Sequence, residues 1–132
     1  MTRFSITMDE ALDFILNATK IGQGSEIFVP KMKAYTITSV KDALFELLEN
    51  TGEKITGIRE GEKLDEVLIS DVEMRFCWEL DDMYVIHSSI NKNYYEGAEN
   101  LKKIESMDSY SSVGASKLSN NELKKIIENY CL

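Results

Sequence analysis

Between positions 57 and 66 the run Gly57-Ile58-Arg59-Glu60-Gly61-Glu62-Lys63-Leu64-Asp65-Glu66 gathers residue types that can bind a nucleotide. The planar fork of Arg59 suits diphosphate oxygens through paired, charge-assisted hydrogen bonds. Glu62, acceptor-only when ionised, suits the two hydroxyls of a ribose. Gly61 lets the backbone turn so that both side chains can face one ligand. The same spacing also describes a solvated charged turn, with Lys63 and Glu66 at the separation of a helix surface. Local pattern leaves both readings open.

Other chemistry-bearing residues point to less. His87 is the single histidine and has no histidine or cysteine partner at metal-ligand spacing, so it is assigned no role. Asp71 with Glu73, and Asp81 with Asp82, are carboxylate pairs, but a calcium site needs about six to eight oxygens and no EF-hand spacing is present. They read as solvated turns. Cys77 and Cys131 form no CxxC and read as two reduced thiols. Trp78, between alternating residues, reads as core or interface. Tyr94, Tyr95 and Tyr110 lie in a polar stretch and are expected to dock on another domain or subunit.

The elements that must hold the 57–66 run follow from periodicity and caps. Thr7 and Glu10 have capping-box spacing, and Ala11, Leu12, Ile15, Leu16 and Thr19 then recur at helical spacing. That predicts a helix from Met8 to a stop at Gly22 to Gly24, with one face buried. Glu26 to Val29 reads as a strand closed by Pro30. A second helix is expected from Thr38 or Ser39, with Gly52 as its left-handed cap. Lys54 to Ile58 alternates as a strand would, and Leu64 to Ile69 reads as a brief helix. Arg75 to Leu80 and Met83 to Ser88 suggest a hairpin about Asp81-Asp82. Between Ser89 and Lys117 periodicity dissolves into a loop or arm. Ser119 with Glu122 then caps a terminal helix carrying Leu123, Ile126, Ile127 and Tyr130.

This order implies an α/β or α+β-like half-domain rather than a complete doubly wound sheet. The expected division is 1–88 as a lobe and 89–132 as a polar arm with a docking helix. At 132 residues one small core is expected. Hydrophobic residues make up 43% and charged residues 29%, which excludes a disordered composition. Fifteen Lys and Arg against 23 Asp and Glu give a net charge of -8, a surface that repels nucleic acid but tolerates one local diphosphate site. No run of about 18 apolar residues and no signal-peptide pattern occurs, so a cytoplasmic protein without a membrane span is expected.

Met1-Thr2-Arg3-Phe4 with Thr7 and Glu10-Ala11, then Glu26 to Met32, then Gly57 to Glu66 resemble one family in the same order. The chain is similar to polysaccharide-biosynthesis proteins of the extended short-chain dehydrogenase/reductase superfamily, which include UDP-N-acetylglucosamine 4,6-dehydratases that also epimerise. The likeness spans residues 1 to 86, and more weakly Tyr110 to Ser112 and Leu118 to Ile127. It implies that Arg59 contacts the diphosphate, that Glu62 contacts the ribose, and that Arg3 lies on the substrate side of the cleft. The family has proline where this chain has Glu60, and usually histidine where it has Asp65.

The family's reaction oxidises the sugar transiently with bound NADP or NAD, eliminates water and reduces the product. It needs a strand, Gly-rich turn, helix cradle for the dinucleotide. Gly22-Gln23-Gly24 follows a helix and precedes a strand, and no Tyr-x-x-x-Lys pair occurs. The resemblance therefore implies the C-terminal UDP-sugar-binding lobe of a dehydratase or epimerase. Such a lobe lacks the Rossmann domain, holds no cofactor itself and is not catalytic alone. The implied partners are a UDP-sugar, a separate dinucleotide-binding domain and further copies of the chain. The alternative is a non-catalytic module that pairs with a partner enzyme or with itself.

Overall fold

The computed structural model describes residues 1–87, 101–104 and 107–131. In chain order the elements are β1 (Thr2–Ser5), α1 (Met8–Ile21), β2 (Ile27–Pro30), β3 (Lys33–Thr36), α2 (Ile37–Leu47), β4 (Val67–Ile69), α3 (Asp71–Met74), β5 (Cys77–Glu79), β6 (Met83–Ile86), β7 (Lys102–Lys103), β8 (Tyr110–Ser111) and α4 (Asn120–Tyr130). The result is a mixed α/β fold of small antiparallel sheets and short helices. It divides into two compact units, where the length alone suggested one core. One holds Met1–Ser5, Lys33–Glu66 and Ser112–Leu132; the other holds Ile6–Met32 and Val67–Ser111.

In the first unit β1 and β3 form a ribbon with Arg3 opposite Tyr35. Thr36 ends β3 and caps α2, its hydroxyl accepting from Ser39 N–H while Ser39 Oγ accepts from Thr36 N–H. The helix thus starts one or two residues earlier than expected. It stops at Leu47, and Gly52, though its φ is 86°, lies beyond the cap. α4 starts at the expected Ser119–Glu122 box and lays Leu123 and Ile127 against Ala43 of α2. Tyr35, Val40, Leu44, Leu47 and Leu118 complete this cluster. The predicted docking helix therefore docks within its own unit, on α2.

Ion pairs rim that contact. Lys33 reaches Glu122, and Lys124 pairs with Glu46, which also accepts from Asn120 Nδ2 at 2.9 Å. The hydrogen bond from Lys33, and then those from Ser119, push the Glu122 carboxyl down to about 2 from an ordinary 4.5. Because the folded value lies below the unfolded one, the stability it contributes is present above pH 4.5 and is lost as pH falls toward 2. The expected result is a melting temperature that drops over that window, with Glu122→Gln flattening the drop and lowering the melting temperature at pH 7. Superimposable pH profiles for the two proteins would exclude this role.

In the second unit the sheet order is β2-β6-β5-β7. β5 and β6 form the expected hairpin, with Trp78 opposite Val85 and Leu80 N–H donating to Met83 O at 2.9 Å. All four residues of β6 are buried, as suits a strand with neighbours on both sides. β2 pairs with it from Ile27 opposite Ile86 to Pro30 opposite Met83. β4 pairs with β8 where a brief helix was expected at Leu64 to Ile69. Three residues, Val-Leu-Ile, are too few to nucleate a helix, and their shape suits a pleated ladder once a partner is available.

The polar arm also corrects an expectation. Tyr110 does not face outward: it is buried, its hydroxyl accepts from Met32 N–H at 2.7 Å and donates to Met32 O at 3.1 Å, and its ring lies 4.9 Å from that of Tyr84. Satisfying the hydroxyl locally lets the aromatic body be buried. Tyr94 and Tyr95 fall outside the described residues.

α1 departs from expectation differently. Thr7 and Glu10 cap it as predicted, and Gly22 ends it, pressed so closely that an added Cβ would stand 3.0 Å from Ala18 O and 3.4 Å from the Phe28 ring. Yet the helix has no buried residue. Met8 is 68% exposed, and Leu12, Ile15 and Leu16 are between 52% and 57% exposed. The periodicity is real, but the described residues leave about half of the face it creates exposed.

Candidate functional site

The predicted strand at Lys54 to Ile58 does not form. With no neighbouring strand among the described residues to pair its backbone, alternation alone does not stabilise a strand, and Ile55 is 90% exposed. The run that follows is shaped instead by turns. Glu62 N–H donates to Arg59 O at 3.1 Å, closing a four-residue turn whose third residue, Gly61, has φ 79°. A positive φ there is the mark of a type II turn and explains the glycine. Glu60 occupies the second position, where the fixed φ of proline would fit.

The Glu62 carboxylate folds back over this turn. Its Oε2 accepts from Arg59 N–H at 3.1 Å, and its Oε1 lies 4.0 Å from Arg3 Nη2. The Arg59 guanidinium makes no hydrogen bond or ion pair with any described residue, so its five donors stand open to a ligand. Sequence reasoning placed Arg59 and Glu62 in one turn, and the structure adds Arg3 to Glu62.

Arg3 itself is heavily engaged. Its Nη1 donates to Thr2 O at 2.7 Å and Leu64 O at 3.2 Å, its Nη2 donates to Lys63 O at 2.8 Å, and its Nε lies 3.6 Å from Glu66 Oε1. Glu66 Oε2 in turn accepts from Phe4 N–H at 2.9 Å. β1 therefore grips the segment after the turn through side chains of both strands of sequence.

Four residues of this arrangement, Thr2, Asp65, Glu66 and Ser112, were not singled out as site residues from the sequence. Thr2 Oγ1 donates to Asp65 Oδ1 at 2.8 Å and lies 2.7 Å from Ser112 Oγ, which accepts from Glu66 N–H at 2.8 Å. Ser112 is fully buried. Thr2 and Glu66 carried a faint signal, being adjacent to Arg3 and within the charged run. Ser112 carried only the weak likeness at Tyr110 to Ser112, which gave it no role, and a serine in a polar stretch 46 residues from Glu66 otherwise looks like any loop serine.

The remaining candidates behave structurally. Burial pushes the Cys77 thiol up to about 11, against what a nucleophile needs. Burial also lowers the His87 pKa, partly opposed by Glu26, and its ring meets Trp78 edge-on at 6.5 Å. Glu73 caps α3 through Ser70, and Asp82 O receives Lys31 N–H at 3.0 Å. Among the described residues no three His, Cys, Asp or Glu side chains converge as a metal site. No helix among the described residues is long and apolar enough to cross a membrane. Gly22 caps the end of α1 and β2 follows it, the reverse of the order that presents a helix N-terminus to a dinucleotide diphosphate. These residues do not fit a nicotinamide dinucleotide.

Comparison with known proteins bears on the same region. Residues 1–88 match the family model described as polysaccharide biosynthesis protein. An inverting UDP-N-acetylglucosamine 4,6-dehydratase of Campylobacter jejuni is 39% identical over 90 residues, covering 68% of this chain and 26% of the relative. A UDP-glucose 4-epimerase of Rickettsia massiliae is 32% identical over 130 residues, covering 96% of this chain and 38% of the relative. The solved structure of Pen from Bacillus thuringiensis superposes with a TM-score of 0.80 at 28% identity, over 98% of this chain and 38% of that one. The chain thus spans between 26% and 38% of the length of these proteins. With two thirds of its residues under the family model and the grip of β1 on the 59–66 run formed by residues within it, the chain belongs to the polysaccharide biosynthesis protein family, in the extended short-chain dehydrogenase/reductase group.

Proposed function

We propose that the chain is the C-terminal, UDP-sugar-binding portion of an NAD(P)-dependent nucleotide-sugar 4,6-dehydratase or epimerase, the substrate lobe without its Rossmann domain, and that it is not catalytic alone. One observation carries this reading: the open Arg59 fork stands in the same tight turn as the Glu62 carboxylate, a pairing suited to diphosphate and ribose. Arg3 adds positive charge on the substrate side while tying down the segment beyond. Hydride transfer needs a nicotinamide cofactor, which a dinucleotide-binding domain outside these residues would hold. The full assembly is a cytoplasmic homo-oligomer.

Calorimetric titration of the chain with UDP-N-acetylglucosamine, alone and with a separately expressed dinucleotide-binding domain of a relative, tests the proposal. Saturable binding supports it; no binding in either arm sinks it. The turn provides a graded companion experiment. Glu60 N–H makes no hydrogen bond among the described residues, so Glu60→Pro removes freedom from the unbound loop without losing a donor. Such a change is worth about 0.4–1 kcal/mol, so the expected result is roughly two- to fivefold tighter UDP binding. Weaker binding would show that the turn must open to receive the ligand.

A second reading has its own support. The exposed Met8, Leu12, Ile15 and Leu16 face would serve a non-catalytic module that pairs with a partner enzyme or with itself. Light scattering with and without UDP-sugar separates the two, since this reading requires association and no ligand.

A further inference from the structure

We infer that Thr2 and Ser112 form a hydroxyl brace that positions the Arg59–Glu66 loop for its ligand. The inference rests on the nucleotide reading of Arg59 and Glu62 and adds two positioning residues to it. Ser112 lies outside the family model, which ends at residue 88, and the weaker likeness at Tyr110 to Ser112 gives it no role.

The direction of each bond in the brace follows from donor counting. A serine or threonine hydroxyl has one hydrogen to give. Thr2 Oγ1 gives its hydrogen to Asp65 Oδ1 at 2.8 Å, because an ionised carboxylate can only accept. The 2.7 Å contact between Thr2 Oγ1 and Ser112 Oγ then takes the serine's hydrogen, which also faces Thr2 O at the longer distance of 3.3 Å. Ser112 Oγ, having given its hydrogen, accepts from Glu66 N–H at 2.8 Å. A single chain of donation thus runs from Glu66 N–H through Ser112 and Thr2 to Asp65. Each member polarises the next, and Ser112 is fully buried, so any gap strands a polar group out of water.

Backbone bonds parallel the side chains. Thr2 N–H donates to Leu64 O at 2.9 Å, and Ser112 N–H donates to Glu66 O at 2.8 Å. Leu64 to Glu66 are therefore held between β1 and Ser112, two residues past Glu62. Residues 51 to 64 are exposed throughout and gain no comparable support from a core. Unless this anchor holds, the loop must be ordered when ligand arrives, at about 1 kcal/mol or more for each residue fixed.

The test uses the whole chain and UDP as probe. Thr2→Val keeps the shape and removes the hydroxyl; Thr2→Ser keeps the hydroxyl. The expected result is UDP binding weakened about tenfold in Thr2→Val and in Ser112→Ala, with Thr2→Ser within about twofold of the parent. The double variant Thr2→Val/Ser112→Ala should be no weaker than either single one, because both break the same chain. Amide hydrogen exchange supplies the independent readout: Glu62 and Glu66 should exchange faster in Thr2→Val while amides of α2 and α4 keep their protection. Parent-like UDP affinity in Thr2→Val overturns the positioning role. Unchanged exchange at Glu62 and Glu66 overturns the brace itself, whether or not UDP binds. Failure of the parent chain to bind UDP, with exchange altered as expected, leaves the brace standing and refutes the nucleotide reading and the positioning role together.

Discussion

If the proposed site holds, Arg59→Ala is expected to weaken binding of UDP-N-acetylglucosamine by about 100-fold while leaving binding of uridine within twofold of the parent. A hydrogen bond to a charged group contributes about 1.5–3 kcal/mol, and a fork meeting a diphosphate makes two of them. Solvent exposure of the turn reduces this pair to about 3 kcal/mol, or two decades of affinity. Arg59→Lys keeps the charge but not the fork, and about tenfold weaker binding is expected. Substitution should not perturb the fold, because the guanidinium makes no hydrogen bond or ion pair with any described residue. The uridine arm matters most. Equal losses for uridine and UDP-sugar would mean that Arg59 shapes the turn rather than reading phosphate, and the proposed site would fail.

Leu12→Asp combined with Ile15→Asp is expected to abolish the proposed association with a dinucleotide-binding domain and to leave the melting temperature of the isolated chain unchanged. Both side chains are about half exposed in a helix with no buried residue, so charging them removes little packing within the chain. In a complex the same positions would lie in a desolvated seam with Met8 and Leu16. Losing each apolar contact there costs about 1 kcal/mol, and burying two unpaired carboxylates costs several more. At least 100-fold weaker association is expected by calorimetry or gel filtration with a relative's cofactor domain. Parent-like affinity would show that the partner docks elsewhere. If the variants instead lost self-association, with no effect on the cofactor domain, the face would belong to the pairing module of the second reading.

Much of the architecture was legible because its signals are local. The boxes at Thr7–Glu10 and Ser119–Glu122 need only three-residue spacing, and both helices begin there. The Asp81-Asp82 hairpin needed only two extended runs and a polar turn between them. Elements that depend on a distant partner were not legible. The alternation at Lys54 to Ile58 promised a strand, but no strand among the described residues lies beside it. Val67 to Ile69 became a strand because β8, more than forty residues on in the sequence, pairs with it. Tyr110 looked free to dock elsewhere until Met32 supplied both a donor and an acceptor for its hydroxyl.

The candidate site divides along the same line. By itself the sequence determined that Arg59, Gly61 and Glu62 share a turn, because glycine at its third position and a donor three residues from its acceptor are properties of adjacent residues. It determined the amphipathic face of α1 as well, since helical spacing fixes which side chains share a side. Only the tertiary structure decided that α1's face stays about half exposed among the described residues, and that Arg3 grips Glu62, Lys63, Leu64 and Glu66. It alone brought Ser112 to Thr2, across 110 positions of chain. Coverage and long-range hydrogen bonds depend on which segments meet in space. Chain spacing limits which pairs can meet, but the choice among them is made by burial and by the need of each buried polar group for a partner.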